Sequence, residues 1–220
     1  MDRVLYVVLA FLMLSTITIT PVGAVTQGEI ADSTSRGLSW LASQQQPDGS
    51  WSPDYYPVGV TGQVLLKLEV HATLQGRSPF DPGYVYHVNV EKGLRYLFAN
   101  AYSQQLSIQV HDGSNDDPDM NGDGLGAYFH STVPDGDHSN YETSLALMAI
   151  VCTGAPTRIV DAGIFTGQTY RDVAVNIIDF LAYGQVDGDI GRGGWTYGPM
   201  DNSGSWSDNS NSGFVTMAFD

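Results

Sequence analysis

Carboxylates and amides are the side chains of this sequence best placed to do chemistry. The segment His111-Asp-Gly-Ser-Asn-Asp-Asp-Pro-Asp-Met-Asn-Gly-Asp-Gly124 puts oxygen-bearing side chains at Asp117, Asp119, Asn121 and Asp123, every second residue, with Gly124 behind them. Alternating oxygens on a sharply turning loop suit a hard divalent cation, and calcium is the cofactor they point to. A twelve-residue calcium loop that starts at Asp119 should close on an acidic residue at its last position, where this chain has His130. Half of the ligand set is therefore present. Asp116, Asp117, Asp135 and Asp137 are the nearby candidates for the missing carboxylate. A solvated acidic loop is the alternative.

A second group of polar and aromatic residues precedes apolar segments. Tyr55, Tyr56 and Pro57 stand before one of them. His138, Asn140, Tyr141 and Glu142 stand before another, and Trp206, Asp208 and Asn209 before a third. If those segments are helices starting on one rim, Tyr55, Tyr56, Tyr141, Trp195 and Trp206 are candidate ligand contacts, with Glu142 and Asp208 beside them. Burial against an apolar helix would fit Glu142 to act as an acid. Capping competes with that reading, because Asn140 and Asp208 suit helix N-termini and Glu142 suits the positive end of a helix. A secreted polysaccharide lyase or hydrolase would need two carboxylates on one cavity, and Glu142 with Asp208 is the available pair.

Six segments have helical periodicity: Ile30 to Gln45, Val58 to Leu74, Val88 to Ala101, Tyr141 to Thr153, Tyr170 to Tyr183, and Asn211 onward. They alternate in character. The first, third and fifth share one register, seen in Gly37-Leu38-Ser39-Trp40-Leu41, Gly93-Leu94-Arg95-Tyr96-Leu97 and Ile177-Ile178-Asp179-Phe180-Leu181. The second, fourth and sixth share another, beginning at Thr61, Thr143 and Ser212. Each helix pair is one unit of an internal repeat. Helices apolar all round must be buried, while amphipathic ones can face water. The expected fold is all-α, an α/α toroid or a three-helix-pair arc of one, over residues 25–220. Ser103 to Asn140 is expected to be a long irregular acidic insertion.

The first corner has a recognisable spacing. Arg36-Gly-Leu-Ser-Trp-Leu-Ala-Ser-Gln-Gln-Gln-Pro-Asp-Gly-Ser-Trp51 reads as a helix end followed by a turn. Gln45 is placed to cap the last helical carbonyls, Pro47 stops the helix, and Asp48-Gly49 supplies the turn. This spacing resembles the "QW" motif of the squalene cyclase and protein prenyltransferase repeat family. Gln185 to Trp195 is a stretched version of the same turn, and in the middle repeat the long insertion replaces it. The resemblance covers the chain from about Ile30 onward, and the motif staples helices rather than catalysing.

The resemblance implies three chemistries, and the residues of each are missing. Class II terpenoid cyclases protonate an alkene with Asp-x-Asp-Asp, whereas Asp116-Asp117-Pro-Asp119 is in the wrong order. Protein prenyltransferases hold zinc with Asp-x-Cys, but Ile150 stands two before Cys152. Complement-type toroids carry a Cys-Gly-Glu-Gln thioester, which Cys152-Thr-Gly-Ala does not match. The resulting expectation is a toroid module without catalysis of its own. It would bind a small molecule, a glycan or a surface partner. The alternative is a terpenoid cyclase whose acid cluster follows Asp220.

Composition limits the remaining possibilities. The 220 residues carry a formal charge of −15, which disfavours nucleic acid as a partner. Arg3, the apolar run Val4 to Ile19 and the small residues Val22-Gly23-Ala24 read as an export signal cleaved after Ala24. Its removal takes one acid and one base from 24 and 9, leaving 23 against 8 in a secreted or cell-surface chain. An uncleaved N-terminal anchor is the alternative. The single cysteine, Cys152, rules out an internal disulfide. Phe219-Asp220 interrupts the last helical pattern without a stop signal, so further repeats are expected, with a short arc as the alternative.

Overall fold

The computed structural model describes residues 25–111, 114–132, 137–199 and 205–220. The export signal expected over residues 1–24 and the candidate Asp135 lie outside them. The described residues form six α-helices: α1 (Gln27–Ser43), α2 (Pro57–Leu74), α3 (His87–Ala99), α4 (Ser139–Cys152), α5 (Tyr170–Tyr183) and α6 (Asn209–Phe219). Four short strands lie between α3 and α4: β1 (Ala101–Gln105), β2 (Gln109–His111), β3 (Ser114–Asp116) and β4 (Leu125–Phe129). The fold is therefore mostly helical, and the all-α expectation needs correcting at the insertion. That segment is not irregular, because β1 pairs with β4 and β2 with β3, both antiparallel. The acidic and glycine-rich residues around the 117–124 turn dominate the pattern of the segment, and the Tyr-, Gln- and Ala-containing strands beside it alternate too briefly to be seen.

The chain forms two compact units divided after Gly37. The first is exposed throughout its described part and starts α1 with a reciprocal cap. Thr26 Oγ1 accepts the Glu29 N–H at 3.2 Å while Glu29 Oε2 accepts the Thr26 N–H at 2.8 Å. The second unit, Leu38–Asp220, holds the core. In it α4 packs on both α2 and α6, α3 packs on α2, and α5 packs on α4 and β4. Helices α2 and α4 are buried along nearly their whole length, as segments apolar all round must be. Their crossing is close: a Cβ on Gly62 would stand 2.8 Å from the Leu145 carbonyl oxygen, so no larger residue fits there. Strand β4 likewise approaches α5 at Gly126, where a Cβ would lie 2.9 Å from the Phe180 Cβ.

Two corners share one hydrogen-bond scheme. Trp51 is 2 % exposed and Trp195 4 %. The Trp51 indole N–H donates to the Leu41 carbonyl at 2.7 Å, and the Trp195 indole N–H to the Leu181 carbonyl at 2.7 Å. The Gln45 amide donates to Gly49 O at 3.0 Å, and the Gln185 amide to Gly193 O at 2.9 Å. The backbone N–H of each tryptophan donates to a hydroxyl of the next helix, Thr61 Oγ1 for Trp51 and Ser212 Oγ for Trp195, both at 3.0 Å. The indole, and not glutamine, thus caps the preceding helix. Gln45 instead ties its own turn to α3, donating to Asn89 O at 2.9 Å and accepting from Asn89 Nδ2 at 2.8 Å. The glutamine was misassigned because its amide reaches forward into the turn rather than back to the helix.

The middle repeat keeps one part of this scheme without its glutamine or tryptophan. The Phe129 N–H donates to Thr143 Oγ1 at 2.8 Å, and the Phe129 ring is fully buried against Phe98 of α3. Phe129 occupies the tryptophan's place. Thr61, Thr143 and Ser212, the first residues of the shared register, are the three hydroxyl acceptors.

Candidate functional site

The three helices α2, α4 and α6 contribute to one chain of aromatic rings. Tyr56 meets His138 edge-on at 4.8 Å and Tyr141 at 5.7 Å between ring centroids. His138 meets Tyr197 at 5.3 Å, and Tyr141 meets Phe214 of α6 at 5.3 Å. Tyr55, 64 % exposed, adds a ring at 6.2 Å from Tyr56. Tyr56 precedes α2 in a left-handed conformation (φ 44°, ψ 52°). A tyrosine there is strained by about 1–2 kcal/mol, which the surrounding contacts must overcome. Beneath the rings, at the starts of α4 and α6, the buried atoms His138 Nδ1, Asn140 Oδ1 and Asn211 Oδ1 have no protein hydrogen-bond partner. The predicted Tyr55, Tyr56 and Tyr141 thus come together, and His138, Tyr197 and Phe214 join them.

The remaining predicted contacts are placed differently. Trp195 is in the core, so it is a corner staple and not a rim contact. Trp206 is about half exposed and its backbone is packed on Gly191, apart from the ring chain. Asp208 is the N-cap of α6: its Oδ1 accepts the Ser210 and Asn211 N–H groups at 2.9 and 3.0 Å and the Ser210 hydroxyl. Those bonds, the Ser210 hydroxyl first, hold its carboxyl below the usual range. Asn140 does not cap α4. Its side-chain amide donates to Thr196 O at 3.1 Å and Gly198 O at 2.8 Å, and its backbone N–H to Tyr197 O at 2.8 Å. It therefore holds the 196–198 segment, and with it Tyr197, beside the start of α4. Asp137 takes the capping role there, accepting the Ser139 N–H at 3.0 Å.

Glu142 is fully buried in the first turn of α4. Its Oε1 accepts the Gly59 N–H at 3.1 Å and the Ser131 hydroxyl at 2.6 Å, and its Oε2 accepts the Ser131 N–H at 2.8 Å. His130 Nδ1 stands 3.4 Å from Oε2. Glu142 therefore joins α2, α4 and the segment after β4. The carboxyls of Glu142 and Asp208 are each taken up by hydrogen bonds of their own. His130, the last position of the acidic loop pattern, faces Glu142.

The acidic turn is held from below by α5. Asp119 accepts the Gly122 and Gly124 N–H groups at 2.8 and 2.7 Å, Asn121 Oδ1 the Asp123 N–H at 2.9 Å, and Asp117 Oδ1 the Asp119 N–H at 3.1 Å. Asp179 of α5 is fully buried, and its Oδ1 accepts the Met120 N–H at 3.2 Å. Its other oxygen has no partner. Burial pushes Asp179 up to about 6, and the like charges of Asp119, Asp123 and Asp117 push the same way. One turn earlier, Asn176 accepts from the Asn121 amide at 2.5 Å and donates to Asp123 Oδ2 at 3.3 Å. As placed, no three acidic, histidine or cysteine side chains among the described residues close on a common point. Sequence reasoning sought the missing carboxylate next to the loop and missed Asp179. The available signal was two polar residues three apart, Asn176 and Asp179, on the helix stripe that buries Val173, Ile177 and Phe180.

Glu69 is a further buried carboxyl that the sequence reading passed over, although it interrupts the apolar α2 segment. It is 0 % exposed and both its oxygens lack partners. Burial alone pushes its pKa well above 4.5. The folded protein then binds this proton more tightly than the unfolded chain does. Stability from this group is fully present below the unfolded value and falls as pH rises through the window above 4.5. Glu69→Gln should remove that slope, and Glu69→Met should stabilise the fold at pH 8 by about 1–3 kcal/mol. Urea midpoints of the two variants and the native protein at pH 5 and pH 8 check this. Parallel slopes for Glu69→Gln and the native protein would refute it. Cys152, half-buried at the end of α4, is pushed up to about 11 by burial and is not a thiolate at neutral pH.

Comparison of the chain with models of protein families, with curated proteins and with solved structures finds no match.

Proposed function

We propose that this chain is an exported α/α toroid-repeat module, three helix pairs of a toroid or an arc of one, that binds a glycan at the rim where α2, α4 and α6 begin. It acts by binding and has no catalysis of its own. The observation that carries this reading is the ring chain Tyr55–Tyr56–His138–Tyr197 with Tyr141 and Phe214, drawn from the starts of α2, α4 and α6, with the Tyr55 ring 64 % exposed and the tyrosine hydroxyls as its hydrogen-bonding groups. Aromatic faces beside hydrogen-bonding groups are what a sugar ring needs from a protein. The strained Tyr56 backbone supports the same reading, since strain collects where a side chain must be aimed.

The repeated indole and hydroxyl corners support the toroid reading. Among the described residues no helix is long and apolar enough to cross a membrane. The proposed setting, outside the cell or on its surface, rests on the export-signal pattern of residues 1–24.

Calorimetric titration with neutral cello-, xylo- and chito-oligosaccharides tests the proposal. Binding of one series is expected, with Tyr56→Ala and Tyr197→Ala each weakening it at least tenfold while circular dichroism stays unchanged. Absence of heat for every series, or affinity indifferent to both substitutions, would end the glycan reading.

A further inference from the structure

The acidic turn and α5 meet in a way that the rim does not use. Asp119, Asn121 and Asp123 offer oxygen atoms from alternate positions, and Asp117 precedes them. Gly122 and Gly124, at φ 77° and 78°, let the backbone turn tightly beneath these side chains. Such an arrangement alone is only a solvated acidic loop. Asp179 is the independent observation. Its side chain is 0 % exposed, it is fixed under the turn by the Met120 N–H, and its Oδ2 has no donor. A carboxylate oxygen buried without a partner is strongly unfavourable unless a proton or a cation meets it.

We propose that Asp117, Asp119, Asn121, Asp123 and Asp179 form a calcium site that clamps the insertion onto α5. The donor set is oxygen only, with four carboxyls and one amide, which selects a hard cation. Donors drawn from two separate elements, a loop and a helix, favour calcium over magnesium, because magnesium demands near-ideal octahedral geometry. Loop carboxylates that already accept an N–H keep a second lone pair on the same oxygen, so the amide bonds of the turn persist when the ion enters. Asn176 positions the loop rather than ligating: it accepts from the Asn121 amide and donates to Asp123 Oδ2, orienting both side chains. The site closes on Asp179 of α5, 59 residues beyond Met120, instead of at the twelfth loop residue, where His130 stands.

The test uses the full chain stripped with a chelator and titrated with calcium chloride by calorimetry and thermal melting. One calcium per chain is expected, with a melting temperature about 5–10 °C higher at a hundredfold excess over Kd. Asp179→Asn and Asp123→Asn should each weaken calcium binding by about 10–100-fold. Asp32→Asn, in the exposed start of α1, should not. An equal melt in calcium and in chelator, or an equal response to magnesium, overturns the calcium site. Unchanged affinity in Asp179→Asn overturns the role of α5. Should that variant not fold, amide exchange in the native protein decides: calcium slowing exchange at both Met120 and residues 176–183 supports the clamp, and slowing confined to the loop refutes it.

Discussion

Trp51→Ala should destabilise the fold by about 3–5 kcal/mol, enough to take much of the stability of an ordinary domain. The indole fills space between the end of α1 and the start of α2, and a Cβ at Gly93 would already lie 3.1 Å from its ring. Truncation leaves a cavity and also strips the Leu41 carbonyl of its N–H donor. Trp51→Phe separates the two effects. It keeps most of the packing and loses the indole bond, so its deficit should be smaller, near 1 kcal/mol for the bond plus a fraction for the lost ring volume. Phe129 shows that phenylalanine can occupy such a corner when a neighbouring strand supports it. Urea unfolding followed by far-ultraviolet dichroism measures all three proteins. A Trp51→Ala deficit under 1 kcal/mol would mean that the corners do not hold the helices together.

Glu142→Ala should cost roughly 2–6 kcal/mol, because the buried N–H groups of Gly59 and Ser131 each lose their acceptor at about 1–3 kcal/mol. Glu142→Gln should recover little of this. Its amide has one accepting oxygen, and its NH2 group would face an N–H or O–H donor where a carboxylate oxygen now accepts. The same pair of variants separates a staple from an acid. An acid poised at the rim would be replaced by glutamine with little change in unfolding midpoint, whereas the three donors around Glu142 require the midpoint to fall.

The helical framework was legible because two periodicities alternate along the chain. The apolar second and fourth segments became the most buried helices, α2 and α4, and the starts of five of the segments moved by only one to three residues. Two helices begin where local chemistry shows it: Thr169 and Asp172 form a capping box at the start of α5, and Asp208 caps the start of α6. What was not legible depends on pairing at a distance. Strand β1 begins at Ala101, where helical periodicity seemed to continue, because its partner β4 lies 28 residues on in the register Ala101 to Phe129. The rim was half legible. Tyr55, Tyr56 and Tyr141 were named from their place before buried helices, but Tyr197 comes from a turn whose position depends on Asn140. Asp179 and Glu69 were missed because a single polar residue inside an apolar helix looks like tolerated noise until its surroundings are known.

The hydroxyl that receives the corner amide lies 10, 14 and 17 residues beyond Trp51, Phe129 and Trp195, yet the bond is the same each time. The fold thus fixes where a connection must end and leaves its length open. Since each doubling of a flexible connection adds only about 0.6 kcal/mol of closure entropy, new sequence can enter at these points at little expense to the frame. A foreign peptide or a small domain spliced between Trp195 and Ser212 should therefore be carried by the helices as cargo.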